Sequence, residues 1–213
     1  MELTFARLCK TIQAEKMPEL IRTFIAIELE ETHRRALRDL QTRLNRDRSA
    51  RDLRWVAPDN IHLTLKFLGD VDAALMPALQ QAVADACSGM APFTLSITGA
   101  GAFPNARRPN VIWVGVGGEV ERAAELAQKI DDACAALGFA REERPFSLHL
   151  TLGRVKRDAR PSDRQFIGEM IVNAQVSHLG ELRAERVSVM KSELRPGGSV
   201  YTRLAEIQLT KDG

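Results

Sequence analysis

No apolar run in this chain approaches the roughly 20 residues that a membrane-crossing helix requires, which excludes a helical bilayer protein. Charge of one sign is also lacking. Lys and Arg total 30 against 28 Asp and Glu, a net +2, so any contact with nucleic acid has to come from a local patch. Only three cysteines occur, Cys9, Cys87 and Cys134, far apart and without a CxxC pair. They read as small buried hydrophobes, reduced thiols of a cytoplasmic protein. No Ser-, Gly- or Pro-rich linker divides the chain, so its 213 residues read as two lobes of one domain. The first twenty, MELTFARLCKTIQAEKMPEL, lack the long apolar stretch of a secretory signal and do not merge into the pattern beginning at Arg22. Residues 1–20 are therefore read as an N-terminal extension. It is either a short accessory helix or, the favoured reading, a stretch upstream of a true start at Met17; residues 21–213 form the domain.

What is present is ordinary soluble-protein material, 45% hydrophobic and 27% charged. Thr23–Leu29 is β-branched and apolar and predicts a central strand. Ala36, Leu37, Leu40 and Leu44 recur at helical spacing, as do Leu75, Leu79, Ala82, Val83 and Ala86. Strands are predicted over 61–68, 93–98, 111–116 and 147–155, with a Gly- and Pro-rich hairpin, GAGAFPNARRPN, joining the middle two. The longest amphipathic stripe runs from Val120 to Leu137 and stops at Gly138. A helix over 163–172 and two strands, 182–191 and 200–208, follow, with Arg195-Pro196-Gly197-Gly198 as turn chemistry between them. The order predicts an α+β fold with largely antiparallel sheets.

Two of the four histidines share one local pattern: Ile61-His62-Leu63-Thr64-Leu65 and Leu148-His149-Leu150-Thr151-Leu152. A strand has a period of two, so His62, Thr64 and Lys66 fall on one face and Leu63, Leu65 and Phe67 on the other. His149 and Thr151 likewise share a face opposite Leu148, Leu150 and Leu152. Each strand thus aims an imidazole and a hydroxyl to the same side, roughly 6–7 Å apart at the backbone. If the strands lie side by side about a pseudo-twofold axis, both pairs line one cleft. That arrangement suits phosphoryl chemistry on a cyclic diester. One neutral histidine takes a proton from water, one protonated histidine gives a proton to the departing oxygen, and the threonines donate to non-bridging oxygens. No metal or other cofactor is required, and no His or Cys ligands cluster as zinc would need.

On these two HxTx motifs the chain resembles the 2H phosphoesterase superfamily. More closely, it is similar to the RNA 2',3'-cyclic phosphodiesterases, historically named 2'-5' RNA ligases. The resemblance runs from about Arg22 to the last strand. It includes Arg22–Ile27, Asn60–Gly69, Gly101-Ala102-Phe103-Pro104, Arg144-Pro145-Phe146 and Ser192-Glu193-Leu194. It implies two pseudo-symmetric antiparallel-sheet lobes with helices outside, a central cleft, and hydrolysis of 2',3'-cyclic phosphate to a 2'-phosphomonoester. His62 would be the proton donor to the 3' oxygen and His149 the acceptor that activates water. Thr64 and Thr151 would bind the phosphate. Arg154, five residues after His149, matches an arginine expected near it.

Other residues are read more plainly. Arg107 and Arg108 sit on a hairpin tip, where they would steer an RNA tail or simply face solvent. Lys66, on the active face, would tune the charge of His62. His33 and His178 are expected at the surface; Trp55, Trp113, Phe24 and Phe146 are expected in apolar packing. The absence of a long exposed apolar stripe favours a monomer acting on RNA ends or cyclic nucleotides. Competing readings are reversible 2'-5' ligation, a small cyclic nucleotide as substrate, and a nucleotide-binding module without turnover.

Overall fold

The computed structural model describes residues 18–196 and 198–211. The stretch read as an extension, Met17 and Cys9 included, lies outside them apart from Pro18–Leu20. Four helices and nine strands follow in the order β1 (Leu20–Glu28), α1 (Glu31–Leu44), β2 (Leu53–Trp55), β3 (His62–Asp72), α2 (Met76–Cys87), β4 (Phe93–Phe103), β5 (Val111–Gly118), α3 (Val120–Ala136), β6 (His149–Val155), α4 (Pro161–Val172), β7 (Glu181–Ala184), β8 (Arg186–Arg195) and β9 (Gly198–Gln208). All strand pairs are antiparallel, in the order β7-β4-β5-β6-β3-β1-β8-β9, with β2 also on β6.

That order is a palindrome about the β6–β3 seam. Each lobe contributes four strands outward from it, and β3 meets β6 at Leu63 opposite Leu150. The curled sheet is covered on one face by all four helices. Ile25, Ile27, Leu63, Leu150, Leu152 and Val114 there join Leu37, Leu79, Leu126, Ile130, Ile167 and Ile171 in a single core. The other face is left open and carries a small apolar cluster of Phe24, Ala26 and Met190 beside Tyr201. Among the described residues, no helix is long and apolar enough to cross a membrane.

Most elements form where pattern and punctuation agree. Proline opens α2 and α4, where a missing N–H costs nothing. Gly138, at φ +91°, ends α3 in the left-handed conformation that glycine adopts freely. The stretch 182–191, predicted as one strand, is two: β7 pairs with β4, and β8 with β1 and β9. Glu185, between them, is where the chain passes from the edge strand of one lobe into the interior of the other lobe's sheet. His33 is not at the surface. It is 4% exposed, and its Nε2 lies 2.8 Å from the Glu181 carbonyl oxygen, joining α1 to β7.

The strict alternation expected for β3 breaks after Thr64. Ala26 pairs with Thr64 but Ile25 pairs with Lys66, so Leu65 is an extra residue, a bulge. The bulge turns Lys66 into the core and Phe67 out to the open face, reversing the expected placement of both. Lys66 is 6% exposed; its Nζ donates to Asp131 Oδ1 of α3 at 2.5 Å and to the Ala140 carbonyl at 2.7 Å. It therefore braces β3 against α3 and the loop leading to His149, and does not face His62. Burial would raise the Asp131 carboxyl, but the Lys66 bond, the Glu142 amide and the charges of Lys66 and Arg141 hold it below its usual range.

Lys66→Met is expected to lower stability by about 3 kcal/mol, because it strands a buried carboxylate. With Asp131 depressed in the folded state, the pair's contribution is present above the unfolded carboxylate range and is lost as pH falls through the folded value. Urea unfolding at pH 7 and pH 3 checks this: the gap between wild type and Lys66→Met is expected to close in acid.

Candidate functional site

The seam fixes the site. With Leu63 opposite Leu150 in an antiparallel ladder, His62 comes abreast of Thr151, and Thr64 abreast of His149. Leu63 and Leu150 are fully buried on the helix side, so the two imidazoles and two hydroxyls emerge together on the open face. This is the cleft that the two HxT units were expected to line.

Each ring is held the same way. Nδ1 of His62 lies 2.8 Å from the Asn60 carbonyl oxygen, and Nδ1 of His149 lies 2.8 Å from that of Ser147. A carbonyl only accepts, so Nδ1 carries the hydrogen in both rings and Nε2 is the nitrogen left to exchange a proton. Both tautomers are thus set by the backbone two residues upstream.

The surroundings of the two rings differ. Phe24 stacks on His62, with centroids 4.6 Å apart and planes 26° apart, and Tyr201 meets its edge at 5.3 Å. His149 touches Phe103 edge-on at 4.9 Å, and Phe103 leans on Trp113. Gly101 makes room for that indole, since a Cβ there would sit 2.5 Å from its ring carbons. Phe24 is buried as expected, yet against a histidine on the cleft side, and Trp113 lies half-buried beside Thr151 on the same side. A cavity of about 300 Å³ opens next to His62, lined by Phe24, Glu28, Arg34, Asn60, Tyr201 and Arg203 among others. Burial, the largest influence, pushes the His62 pKa below its ordinary value; the Asn60 bond and the Glu28 charge oppose it, and His149 adds to it.

Arg154 reaches the open face by the same device as Phe67. Trp113 pairs with Thr151 but Ile112 with Gly153, so Leu152 is the bulged residue of β6 as Leu65 is of β3. The bulge buries Gly153 and exposes Arg154 on the cleft side, beyond Thr151. Arg54 of β2 sits directly opposite Arg154 on that face. Like charges paired across a ladder repel, and among the described residues neither has a carboxylate within ion-pair distance. The sequence had offered no signal for Arg54, because three residues make too short a strand for periodicity to speak. Arg107 and Arg108 lie away from the seam, at the rim of a wider groove with Pro104, Asn110 and Arg164. No group of three His, Cys, Asp or Glu among the described residues is placed to hold a metal ion.

An antiparallel palindrome with one HxT strand from each lobe defines a two-histidine phosphoesterase architecture, and the comparisons carry it further. The model of the LigT-like phosphoesterases matches the chain twice, over residues 27–113 and 114–201, with one motif in each match. The chain belongs to that family. It is 37% identical over 191 residues to an RNA 2',3'-cyclic phosphodiesterase of Methanothermobacter thermautotrophicus, covering 89% of this chain and 99% of the relative. It is 30% identical to one from Archaeoglobus fulgidus, covering 86% and 98%. Among solved structures it is similar to a protein of Thermus thermophilus, with a TM-score of 0.72, 29% identity and coverage of 89% and 98%. Escherichia coli LigT complexed with 3'-AMP gives a TM-score of 0.71 at 26% identity, covering 90% and 99%.

A 15N NMR titration is expected to find His62 titrating below the usual histidine range near 6.5. Phe24→Ala, which lets water onto the ring, should bring the midpoint back up. An unchanged midpoint in that variant would mean that burial by Phe24 is not what lowers it.

Proposed function

We propose that this protein hydrolyses 2',3'-cyclic phosphates on RNA ends to 2'-phosphomonoesters by acid–base catalysis between His62 and His149, acting as a monomer in the cytoplasm. The observation that carries the reading is the pair of matched HxT strands, each with its histidine tautomer set by a carbonyl two residues upstream. Relatives named RNA 2',3'-cyclic phosphodiesterase, matching nearly end to end, support the substrate class. The buried Cys87 and Cys134 thiols are pushed up to about 12 and about 11 chiefly by burial, which keeps them unreactive.

The proposed reaction assigns each step to one of these side chains. Neutral His149 takes a proton at Nε2 from a water placed on its side of the phosphorus. The water oxygen bonds to phosphorus opposite O3' as the P–O3' bond breaks. His62 gives its Nε2 proton to O3', leaving a free 3'-hydroxyl and a 2'-phosphate. The Thr64 and Thr151 hydroxyls donate to the non-bridging oxygens as charge builds on them, and the Arg154 guanidinium balances the extra negative charge. In-line displacement requires donor and acceptor on opposite sides of the phosphorus, and one histidine from each lobe is consistent with that requirement.

The test is incubation with a 2',3'-cyclic nucleotide and an RNA oligomer ending in cyclic phosphate, with EDTA present, and phosphorus NMR of the product. A 2'-phosphate is expected. Binding without turnover would make the cleft a nucleotide-binding module and sink the proposal. His62→Ala and His149→Ala should each lower kcat by about 10²–10⁴ with the fold intact. A bell-shaped pH profile is expected for wild type, because one ring must be charged and the other neutral.

A further inference from the structure

The two histidines are equivalent in their motif, their tautomer and their hydroxyl partner. A symmetric pair does not decide which ring gives the proton. The difference must come from a neighbour that one lobe has and the other lacks.

The strand ladders identify it. On β1, Glu28 is the direct partner of His62; on β5, the corresponding partner of His149 is Gly115. Direct partners in an antiparallel ladder project to the same face, so Glu28 stands beside the His62 ring on the cleft side. Gly115 cannot be given a counterpart, because a Cβ there would lie 2.8 Å from the Thr98 carbonyl oxygen. A carboxylate is allowed next to one histidine and barred next to the other.

The Glu28 carboxylate is also held in place. Ser188 Oγ donates to Oε1 at 2.6 Å and Arg203 Nε to the same oxygen at 2.7 Å. Oε2 takes no hydrogen bond from the described residues. Burial would raise the Glu28 carboxyl, but the Arg203 and Ser188 bonds and the Arg203 and Arg34 charges bring it below its usual range. Glu28 is therefore an anion at neutral pH.

We propose that Glu28 is a positioning residue that acts through His62, opposing the loss of its proton that burial favours and so biasing the first-lobe histidine toward the donor role. The proposal rests on the reading of His62 and His149 as the acid and base. The other groups around His62 do not supply this bias. Arg34 of α1 and Arg203 of β9 are cations, and His149 of β6 opposes a second charge. Asp59, before β3, is largely exposed, with Arg38 3.6 Å away. Tyr201 and Phe24 are neutral rings, and the Asn60 bond has its twin at Ser147. Arg203 limits the bias, since it binds Glu28 as well as Glu206.

The experiment is the pH profile of kcat/KM on a 2',3'-cyclic nucleotide for wild type, Glu28→Gln and Arg203→Gln, with 15N NMR titration of His62 in each. Glu28→Gln keeps an acceptor for Ser188 and Arg203 but removes the charge. Its alkaline limb is expected to move about one pH unit lower, roughly a tenfold loss on that side, with the acid limb unmoved. Arg203→Gln, which removes the opposing cation, should move the same limb upward. A purely structural role would not shift one limb in opposite directions in the two variants. Movement of the acid limb instead would make His62 the base and overturn the assignment. If no limb moves and the His62 NMR midpoint is the same in all three proteins, Glu28 does not act on His62. The NMR midpoints read the coupling without turnover, so a wild type inactive on cyclic phosphates would sink the proposed function while the Glu28–His62 link is still decided.

Discussion

The single backbone pairing of Leu63 with Leu150 is the constraint on which the cleft depends. It is the only register point between β3 and β6 among the described residues, and it is where one lobe's sheet becomes the other's. Because both leucines are buried under the helices, the period of the strand forces the residues on either side out to the opposite face. A slip of one residue would turn one of the two strands over, burying its imidazole and exposing its leucine, at a cost of several buried apolar contacts. The chemistry is therefore held in register by hydrophobic packing on the far side of the sheet.

The bulges extend this logic outward from the seam. Leu65 and Leu152 occupy the same place in their motifs, three residues after the histidine, and each adds one residue to its strand. Past each bulge the inside and outside positions exchange. On β6 this gives Gly153 to the core and Arg154 to the cleft; on β3 it gives Lys66 to the core and Phe67 to the cleft. The second-lobe rim is cationic at that position and the first-lobe rim aromatic, with Arg22 lying 4.7 Å over the Phe67 ring. The same backbone irregularity thus presents different chemistry to the two ends of one cleft.

The bulges also mark where the sequence stopped being legible. Period-two reasoning placed His62, Thr64, His149 and Thr151 on one face because it was applied within two residues of the seam, where both strands are regular. It misplaced Lys66 and Phe67 because an extra residue leaves no mark in the hydrophobic pattern. A run of Leu, Leu, Phe and Leu reads the same with or without it. Arg154 was placed near the cleft by resemblance, and the β6 bulge is the physical route that puts it there. Glu28 was passed over for a different reason. It ends the most apolar strand of the chain, where a charge reads as the strand's exit to solvent. Only the pairing with β3 reveals that this exit lies beside His62. His33 was missed because a helix-start histidine looks solvated until a distant segment, here Glu181, packs over it.

A substrate with distinct 2' and 3' oxygens is not symmetric, so a duplicated site has to lose its symmetry somewhere. The motifs themselves leave little room, since the proposed reaction uses each histidine and threonine. The neighbouring strands are freer. β1 carries Glu28, Ala26 and Phe24 where β5 carries Gly115, Trp113 and Val111, and β9 adds Tyr201 and Arg203 at the edge of the first lobe. Aromatic burial there resists charge on His62, while the carboxylate and the Asn60 carbonyl favour it. For the proposed role of His62 as the acid, these opposed influences act together: the anion favours holding the proton, and the dry surroundings favour giving it up. His149 faces Gly115 across the ladder, where a Cβ would clash with the Thr98 carbonyl, so no anion stands at that position. The two lobes share a motif and differ in the residues one strand away.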